Sequence, residues 1–366
     1  MIKYLGSKRL LVGVLGDIAT AVGAGSALDL FTGTTRVAQE LKARGVHVTA
    51  VDVATYSAVL SDCYIGTDAD TVDAAELDEV LASLAGLPGV RGYVTETFCE
   101  QARFFQPHNG IRIDAIRDAI ERDHRDSPLR PILLTSLLDA ADRVDSTTGL
   151  QMAFLKSWSA RSYDDLELRR PTLLPGPGRT VLGDASTAVA TMPRVDLAYL
   201  DPPYNQHRYF TNYHVWETLV RWDAPAHYGI VCKRVDARDD ATKSVFNRKR
   251  HMPTALRDLI RRVDAETVVV SYNDESWVTA EQMTSWLHEA GHEAVGVLAF
   301  DAKRYVGAQI GIFNGAGEKV GRVGRLRNQE LVFVAGPREK VTAALATPAG
   351  TRTAGITASV AGPAQR

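Results

Sequence analysis

Residues 27–52, ALDLFTGTTRVAQELKARGVHVTAVD, contain the pattern that decides the fold. ALDLF (27–31) is a short apolar run typical of a buried strand, and VHVTAVD (46–52) is a second one. Between them, TTRVAQELKARG (34–45) has apolar residues at helical spacing and ends at Gly45, a common helix terminator. A strand, a helix and a strand in this order predict a βαβ unit, and therefore a parallel sheet with a right-handed crossover.

The same alternation resumes after residue 175. Five further strands are predicted there: TVLGD (180–184), VDLAYLD (195–201), TVVVSYND (267–274), HEAVGVLAF (292–300) and QELVFVA (329–335). A helix near 279–290 separates the third of these strands from the fourth. Together with residues 27–52, these elements predict an α/β fold built around a mostly parallel sheet.

Residues 67–175 interrupt the alternation and have a different character. Helical spacing recurs in three stretches: 72–85, 111–123 and 131–143. We therefore predict one domain made of residues 1–66 and 176–335, into which a mainly helical region, 67–175, is inserted. Residues 336–366 are rich in Ala, Thr, Gly and Pro and are expected to form a disordered tail.

The composition of the 366 residues is that of an ordinary soluble protein, with 45% hydrophobic and 23% charged residues. The cysteines are few, odd in number and scattered, which argues against a disulfide framework or a zinc site: Cys63, Cys99 and Cys232. No signal layout and no apolar run of about 20 residues is evident, so we expect a soluble cytoplasmic protein without a membrane segment or a metal.

Charge is distributed unevenly, although the net charge is only −2. Residues 233–262 contain ten Lys or Arg against four Asp or Glu, and residues 303–327 contain six against one. Such runs are either solvated faces or contacts for a polyanion such as DNA. Within the first run, NRKRH (247–251) supplies the candidate phosphate contacts, which are Arg248, Lys249 and Arg250.

The first strand-to-helix turn, DLFTGTT (29–35), indicates a ligand site. Gly33 and small hydroxyl residues at this turn allow a ligand to approach the backbone. Asp52 ends the next strand, where doubly wound folds place a carboxylate that accepts hydrogen bonds from ribose hydroxyls. A nucleoside ligand is therefore predicted, and a dinucleotide is disfavoured because the three glycines of G-x-G-x-x-G are missing. The alternative is a tight turn with a capping aspartate.

A stiff corner follows the strand VDLAYL (195–200) in the segment YLDPPYNQHRYFTNYHVWETL. Pro202 has no amide hydrogen to continue a strand ladder, so the strand must stop at Asp201. Two successive prolines fix the backbone and hold the Asp201 carboxylate and the following carbonyls in one arrangement. The corner thus presents hydrogen-bond acceptors, although paired prolines also occur as plain strand terminators.

Four blocks in order resemble one known family: KYLGSKRLL (3–11), DLFTGTTRVA (29–38), RFFQPHNGIRIDAIRDAIE (103–121) and YLDPPYNQHRYFTNYHVWETLVRWD (199–223). They are similar to the motifs of the D12-class, Dam-like DNA methyltransferases of the alpha group, which use S-adenosylmethionine to methylate amino groups. One departure is the pair Thr34 and Thr35, where a second small or glycine residue is common. The resemblance implies a Rossmann-like class I methyltransferase sheet with a C-terminal antiparallel strand, and a target-recognition role for residues 67–175.

The resemblance also implies roles for individual residues. Asp201 and the Pro202 carbonyl would accept hydrogen bonds from the target amine, Pro203 would complete the corner, and Tyr204 would stack on a flipped base. The N-terminal motif residues Lys3, Tyr4, Gly6, Ser7 and Lys8 would hold the cofactor or orient its carboxylate, with Lys8 as the expected direct contact. The cofactor-binding set is Tyr4, Lys8, Asp29, Phe31, Gly33, Asp52 and Asp184. Asp184 would accept a hydrogen bond from the cofactor adenine amine, and the alternative for it is a cap on the following helix. Asn212 and His214 are not expected to be catalytic.

The leading prediction is thus a site-specific adenine-N6 methyltransferase acting on double-stranded DNA, since aspartate at the head of the motif favours adenine. Cytosine-N4, RNA or protein-amide methylation remain alternatives, as does a non-catalytic DNA-binding module. A cognate restriction endonuclease is a candidate partner. The sequence leaves open the recognition sequence, the segment that reads it and the choice between monomer and dimer.

Overall fold

The computed structural model describes residues 2–4, 8, 10–203, 208–274, 276–303, 312–313, 319–321, 327–347 and 359–361. The chain divides into two compact units. Unit 1 contains Met1–Arg9, Thr32–Ala188 and His207–Ser244, and unit 2 contains Leu10–Phe31, Val189–Gln206 and Val245–Arg366. Among the described helices, none combines the length and the apolar character that a membrane crossing requires.

The helices are α1 (Val12–Ala21), α2 (Arg36–Ala43), α3 (Thr55–Ser61), α4 (Ala74–Gly86), α5 (Pro107–Asp123), α6 (Arg130–Val144), α7 (Ala185–Ala188), α8 (Tyr209–Asn212), α9 (His214–Arg221), α10 (Met252–Arg262), α11 (Ala280–Glu289) and α12 (Arg338–Leu345). The strands are β1 (Ser26–Asp29), β2 (His47–Asp52), β3 (Arg179–Leu182), β4 (Val195–Leu200), β5 (His227–Tyr228), β6 (Lys233–Arg234), β7 (Ala265–Asn273), β8 (Ala294–Lys303), β9 (Ile312–Phe313), β10 (Lys319–Gly321), β11 (Arg327–Gly336) and β12 (Ser359–Ala361).

Local sequence signals mark several helix starts. Asp73 precedes α4 and accepts hydrogen bonds from the first free amides of that helix. Thr279 and Gln282 form a reciprocal capping box at the start of α11. Such side chains satisfy amides that have no partner within the helix, which is why these helices begin where they do.

In unit 2, β1, β4 and β7 run parallel, with Asp29 opposite Tyr199 and Leu200 opposite Val270. β11 runs antiparallel between β7 and β8, and β12 adds antiparallel to the outer side of β8. The interior positions of these strands are mainly Val, Ala and Leu. Because parallel strands end at the same edge of a sheet, the carboxyl ends of β1 and β4 lie side by side.

In unit 1, β2 and β3 pair in parallel, with Asp52 opposite Leu182. The unit also contains α2 and α3 on either side of β2 in sequence, the helices α4 to α6, and the antiparallel hairpin of β5 and β6. The predicted α/β class, with mostly parallel strands and an antiparallel C-terminal strand, is confirmed.

The helices predicted in residues 67–175 are present as α4, α5 and α6, each with bounds within a few residues of those expected. Two π-helical segments, Asp62–Gly66 and Thr95–Gln101, were not predicted. The predicted inserted region shares unit 1 with residues 32–66 and 207–244. A separate target-recognition role for residues 67–175 therefore stays a proposal.

The block RFFQPHNGIRIDAIRDAIE has a structural explanation in unit 1. Asp114 of α5 accepts hydrogen bonds from the amides of Gly92, Val94 and Thr95, at 2.9 to 3.0 Å. Arg117 is fully buried and donates to the carbonyl of Leu219 at 2.7 Å, at the C-terminal end of α9. The polar residues of this block thus anchor α5 and hold the end of α9.

The expected disorder of residues 336–366 is wrong for residues 338–345, which form α12. Val341 and Ala344 are fully buried on one side of this helix. Gly296 of β8 leaves the space that the helix needs, because a Cβ atom there would lie 2.8 Å from the Leu345 side chain. Apolar residues at helical spacing, together with a glycine on the opposing strand, allow this segment to fold as a packed helix despite its Ala, Thr, Gly and Pro content.

Candidate active site

Asp52, at the carboxyl end of β2, fixes the turn between β1 and α2. Its Oδ2 accepts a hydrogen bond from the amide of Gly33 at 2.8 Å, and its Oδ1 accepts one from Ala54 at 2.9 Å. Ser57 donates to the Gly33 carbonyl at 2.6 Å. Desolvation raises the pKa of the Asp52 carboxyl, and these amides partly offset that rise. Each oxygen of a carboxylate has a second lone pair, so Asp52 can accept further hydrogen bonds.

Gly33 is required at this turn for two reasons. Its φ of +53° lies in the left-handed region, and a Cβ atom on it would lie 3.1 Å from the Tyr4 ring. The Tyr4 ring is stacked between those of Tyr209 and Tyr213, with centroid distances of 5.2 and 4.9 Å. The aromatic rings thus cover the turn, and a contact of Tyr4 to the cofactor stays a prediction.

Thr35 also has a left-handed backbone, with φ of +62°, although it is β-branched. Local hydrogen bonds stabilise it there: its amide donates to the Thr32 carbonyl, its hydroxyl donates to the Thr34 carbonyl, and Gln39 donates to that hydroxyl, each at 2.7 Å. These bonds thus hold Thr35, one of the two residues that depart from the family pattern, in the left-handed conformation.

The two lysines of the N-terminal motif differ in environment. The Lys3 ammonium group forms ion pairs with Asp142 at 2.9 Å and Asp145 at 3.3 Å, at the end of α6. Lys3 therefore anchors the segment that carries Tyr4. Lys8 is buried and remains the predicted direct contact to the cofactor. Gly6 and Ser7 lie outside the described residues.

Asp184 follows β3, and the carbonyl of Asp52 accepts a hydrogen bond from the neighbouring Gly183 amide at 2.8 Å. The Asp184 carboxylate accepts from the Ser186 amide at 2.9 Å, and its carbonyl accepts from the first turn of α7. Asp184 is therefore a helix cap, as the alternative interpretation expected. A contact to the cofactor adenine stays a prediction.

Asp29 and Asp201 lie at the carboxyl ends of the neighbouring strands β1 and β4 in unit 2. Asp29 is buried and accepts a hydrogen bond from the Phe31 amide at 3.4 Å. The Phe31 ring meets the edge of Phe246, with 5.0 Å between centroids. Parallel strand order thus brings together two predicted site residues that are distant in sequence.

The corner after β4 begins at Asp201, whose Oδ1 accepts a hydrogen bond from the Ser271 hydroxyl at 3.0 Å. That hydroxyl also lies 2.8 Å from the Tyr199 phenol oxygen. Pro202 is buried and Pro203 is half-buried. Tyr204, predicted to stack on the target base, lies outside the described residues. Sequence reasoning did not single out Ser271, because its contact to Asp201 depends on the pairing of β4 with β7.

Glu217 of α9 was also missed. It is buried, with 1% of its surface exposed, and accepts hydrogen bonds from the amides of Thr55 and Tyr56 at 3.4 and 3.3 Å. These are the first two residues of α3, immediately after the Asp52 loop. The apolar neighbours of Glu217 in sequence, as in VWETLV (215–220), are a signal that its carboxylate is buried and paired.

His214 is fully buried, and its Nε2 lies 3.0 Å from the carbonyl oxygen of Gln151. Burial lowers the pKa of His214 to about 3, so the imidazole is neutral at ordinary pH and Nε2 donates to that carbonyl. Asn212 is buried as well, and its carbonyl accepts from the Gln151 amide at 2.9 Å. Both residues thus link the segment after the corner to residue 151.

The basic residues Arg248, Lys249 and Arg250 lie on the surface of unit 2, just before α10. All three side chains are exposed, whereas Phe246, two residues earlier, is buried against Phe31. The packing of Phe246 on Phe31 therefore anchors the start of the basic segment next to the turn after β1. Most of the second basic stretch, 303–327, lies outside the described residues.

The family model for D12 class N6 adenine-specific DNA methyltransferase matches residues 4–286. The chain belongs to this family. Modification methylase StsI of Streptococcus sanguinis is 30% identical over 305 residues, which cover 78% of this chain and 46% of that protein. Type II methyltransferase M.NlaIII of Neisseria lactamica is 31% identical over 297 residues, covering 76% of this chain and 86% of that protein.

A third relative, type II methyltransferase M.FokI of Planomicrobium okeanokoites, is 31% identical over 201 residues, covering 53% of this chain and 30% of that protein. The chain thus spans about half or less of StsI and M.FokI and most of M.NlaIII. The D12-class match includes β1 with its turn, the Asp52 loop and the corner at Asp201.

Proposed function

We propose that this chain transfers a methyl group from S-adenosylmethionine to the exocyclic N6 amine of adenine in double-stranded DNA. The observation that carries the proposal is the corner at Asp201, a carboxylate followed by two prolines at the end of β4, in a chain of the D12-class family.

The chemistry explains why a rigid acceptor is useful at this corner. The lone pair of an aromatic amine is delocalised into the ring, which makes the nitrogen a poor nucleophile. The Asp201 carboxylate and the Pro202 carbonyl accept hydrogen bonds from the two amine hydrogens and favour a tetrahedral nitrogen with its lone pair directed at the methyl donor. As the new N–C bond forms, the bond between the sulfonium sulfur and the methyl carbon breaks, with neutral S-adenosylhomocysteine as the leaving group. The methylated nitrogen then releases one proton, for which Asp201 is the acceptor.

The residues around β2 fit S-adenosylmethionine, which supplies the methyl group when bound. Asp52 holds the turn and has lone pairs left for ribose hydroxyls. Gly33 has no side chain, which leaves room for the Tyr4 ring against the turn. We assign Tyr4, Lys8, Asp29, Phe31 and Asp184 to the same ligand.

For the DNA we assign the stacking of a flipped adenine to Tyr204 and phosphate contacts to Arg248, Lys249 and Arg250. Residues 67–175 are assigned to target recognition. The relatives are named modification methylases or type II methyltransferases. We therefore propose that this chain is the modification component of a restriction-modification system in the cytoplasm, with a cognate restriction endonuclease as its functional partner.

The test supplies the purified protein with S-adenosylmethionine labelled in the methyl group and, separately, with duplex DNA, RNA and protein. The expected product is N6-methyladenine in DNA, identified by nucleoside analysis. Asp201→Ala should abolish the transfer while the cofactor still binds. Asp264→Ala, which removes an exposed aspartate paired with Arg194 in the same unit, is the control and should stay active. Label in cytosine, RNA or protein, or an active Asp201→Ala variant, would overturn the proposal.

A further inference from the structure

The Ser271 hydroxyl lies between the Asp201 carboxylate and the Tyr199 phenol. It is 3.0 Å from Asp201 Oδ1 and 2.8 Å from the Tyr199 phenol oxygen. Ser271 is fully buried, and Tyr199 is 2% exposed. Since an ionised carboxylate can only accept, Ser271 donates to Asp201, and its oxygen then accepts from Tyr199. The phenol, the serine and the carboxylate thus form one directed chain of hydrogen bonds.

The strand pairing places these three groups together. Tyr199 is on β4 and Ser271 is on β7, and these strands are parallel neighbours in unit 2. Ser271 follows the buried residues Val268, Val269 and Val270. Burying a hydroxyl among such neighbours is unfavourable unless the hydroxyl is hydrogen-bonded. The hydrogen bond to Asp201 therefore explains why a serine is tolerated at this buried position.

We propose that Ser271 is a positioning residue for the methyl-transfer reaction, and that Tyr199 orients Ser271 by donating a hydrogen bond to its hydroxyl oxygen. The Ser271 hydroxyl holds one oxygen of Asp201 and thereby fixes the plane of the carboxylate that receives the target amine. The inference rests on the proposed function, because it assigns a purpose to the orientation of Asp201. It adds to the corner Ser271, which lies 70 positions from Asp201 in sequence, and Tyr199, which stands two positions before Asp201.

Rate measurements on single variants test the first link. Ser271→Ala should lower kcat roughly tenfold, the change expected when one hydrogen bond to a charged group is lost, and leave the KM for S-adenosylmethionine within about twofold. Ser271→Thr keeps the hydroxyl and should recover most of the rate. Thr267→Val is the control on the same strand, because Thr267 is fully buried and its hydroxyl has no hydrogen-bond partner among the described residues.

A double-mutant cycle tests the second link. Tyr199→Phe should lower kcat by about threefold, and the same change in the Ser271→Ala background should have no further effect, since Tyr199 acts through Ser271. Equal kcat for Ser271→Ala and Thr267→Val, or additive effects of the two substitutions, would overturn the proposal. If circular dichroism shows that Ser271→Ala does not fold, the kcat of Tyr199→Phe becomes the test. An unchanged kcat in that variant would then overturn the positioning proposal. Absence of methyl transfer by the unaltered protein would instead refute the proposed function.

Discussion

The buried carboxylate of Glu217 accepts a hydrogen bond from the backbone amide of Tyr56 at 3.3 Å, across 161 positions of sequence. Thr55 donates to the other oxygen at 3.4 Å. Asp52, just before them, accepts from Ala54. Two carboxylates therefore hold the first amides of α3 and the loop before it. Since one of these is the predicted ribose acceptor, Glu217 is expected to influence cofactor affinity.

Replacing Glu217 with Gln should weaken S-adenosylmethionine binding by about tenfold, because the amide group cannot accept from both backbone donors. Isothermal titration calorimetry measures the effect. Glu121→Gln is the matched control: it makes the same chemical change in unit 1 at a carboxylate that pairs with Arg117. Equal affinities of the two variants would mean that Glu217 supports α3 without reaching the cofactor site.

Asp52→Ala should weaken S-adenosylmethionine binding by about 1.5–3 kcal/mol, the usual contribution of hydrogen bonds to a charged group. It should also lower the melting temperature without ligand, because the Gly33 amide loses its partner. Asp73→Ala removes another aspartate that accepts from backbone amides, at the start of α4, and serves as the control for lost stability alone. If Asp52→Ala bound the cofactor as tightly as Asp73→Ala, Asp52 would be only a turn anchor.

Acid stability should depend on His214. Burial lowers the pKa of His214 from 6.5 to about 3 in the folded protein. The contribution of its neutral form is therefore fully present above pH 6.5 and is lost as the pH falls towards 3. Because the unfolded chain takes up a proton that the folded chain does not, this residue should account for about 2 kcal/mol of lost stability between pH 7 and pH 5.

Urea unfolding of His214→Gln at both pH values tests this point. The variant should be less stable at pH 7, because the bond to Gln151 is altered, but its stability should change less between the two values. His47→Gln, at an exposed position at the start of β2, is the control. A pH dependence identical to that of the unaltered protein would show that His214 is not buried as a neutral group.

Prediction from sequence succeeded where the signal was local. The apolar spacing of residues 27–52 defined β1, α2 and β2, and the rule for strand ends placed Asp52 and Asp201 correctly at the carboxyl ends of their strands. The helix at 338–345 was missed because composition was weighed above the short apolar repeat of Val341 and Ala344.

Contacts between distant segments could not be predicted in the same way. Ser271 reaches Asp201 only through the pairing of β4 with β7, and Glu217 reaches Tyr56 only through the packing of α9 near α3. The ion pairs of Lys3 with Asp142 and Asp145 likewise join residues about 140 positions apart. No spacing rule within one segment gives the partner of a buried charge, since that partner is selected by tertiary structure.

The exposed triplet Arg248, Lys249 and Arg250 should contribute to DNA affinity without regard to sequence. If all three contact phosphates, their joint replacement by Ala should weaken binding to any duplex and reduce the slope of log K against log salt by about 0.9 per lost contact. Fluorescence anisotropy over a range of salt concentrations measures this slope. Arg194→Ala, at an exposed arginine already paired with Asp264 in the same unit, should leave the slope nearly unchanged. A triple variant with an unaltered slope would identify the triplet as a solvated surface and move the search for phosphate contacts to residues 303–327.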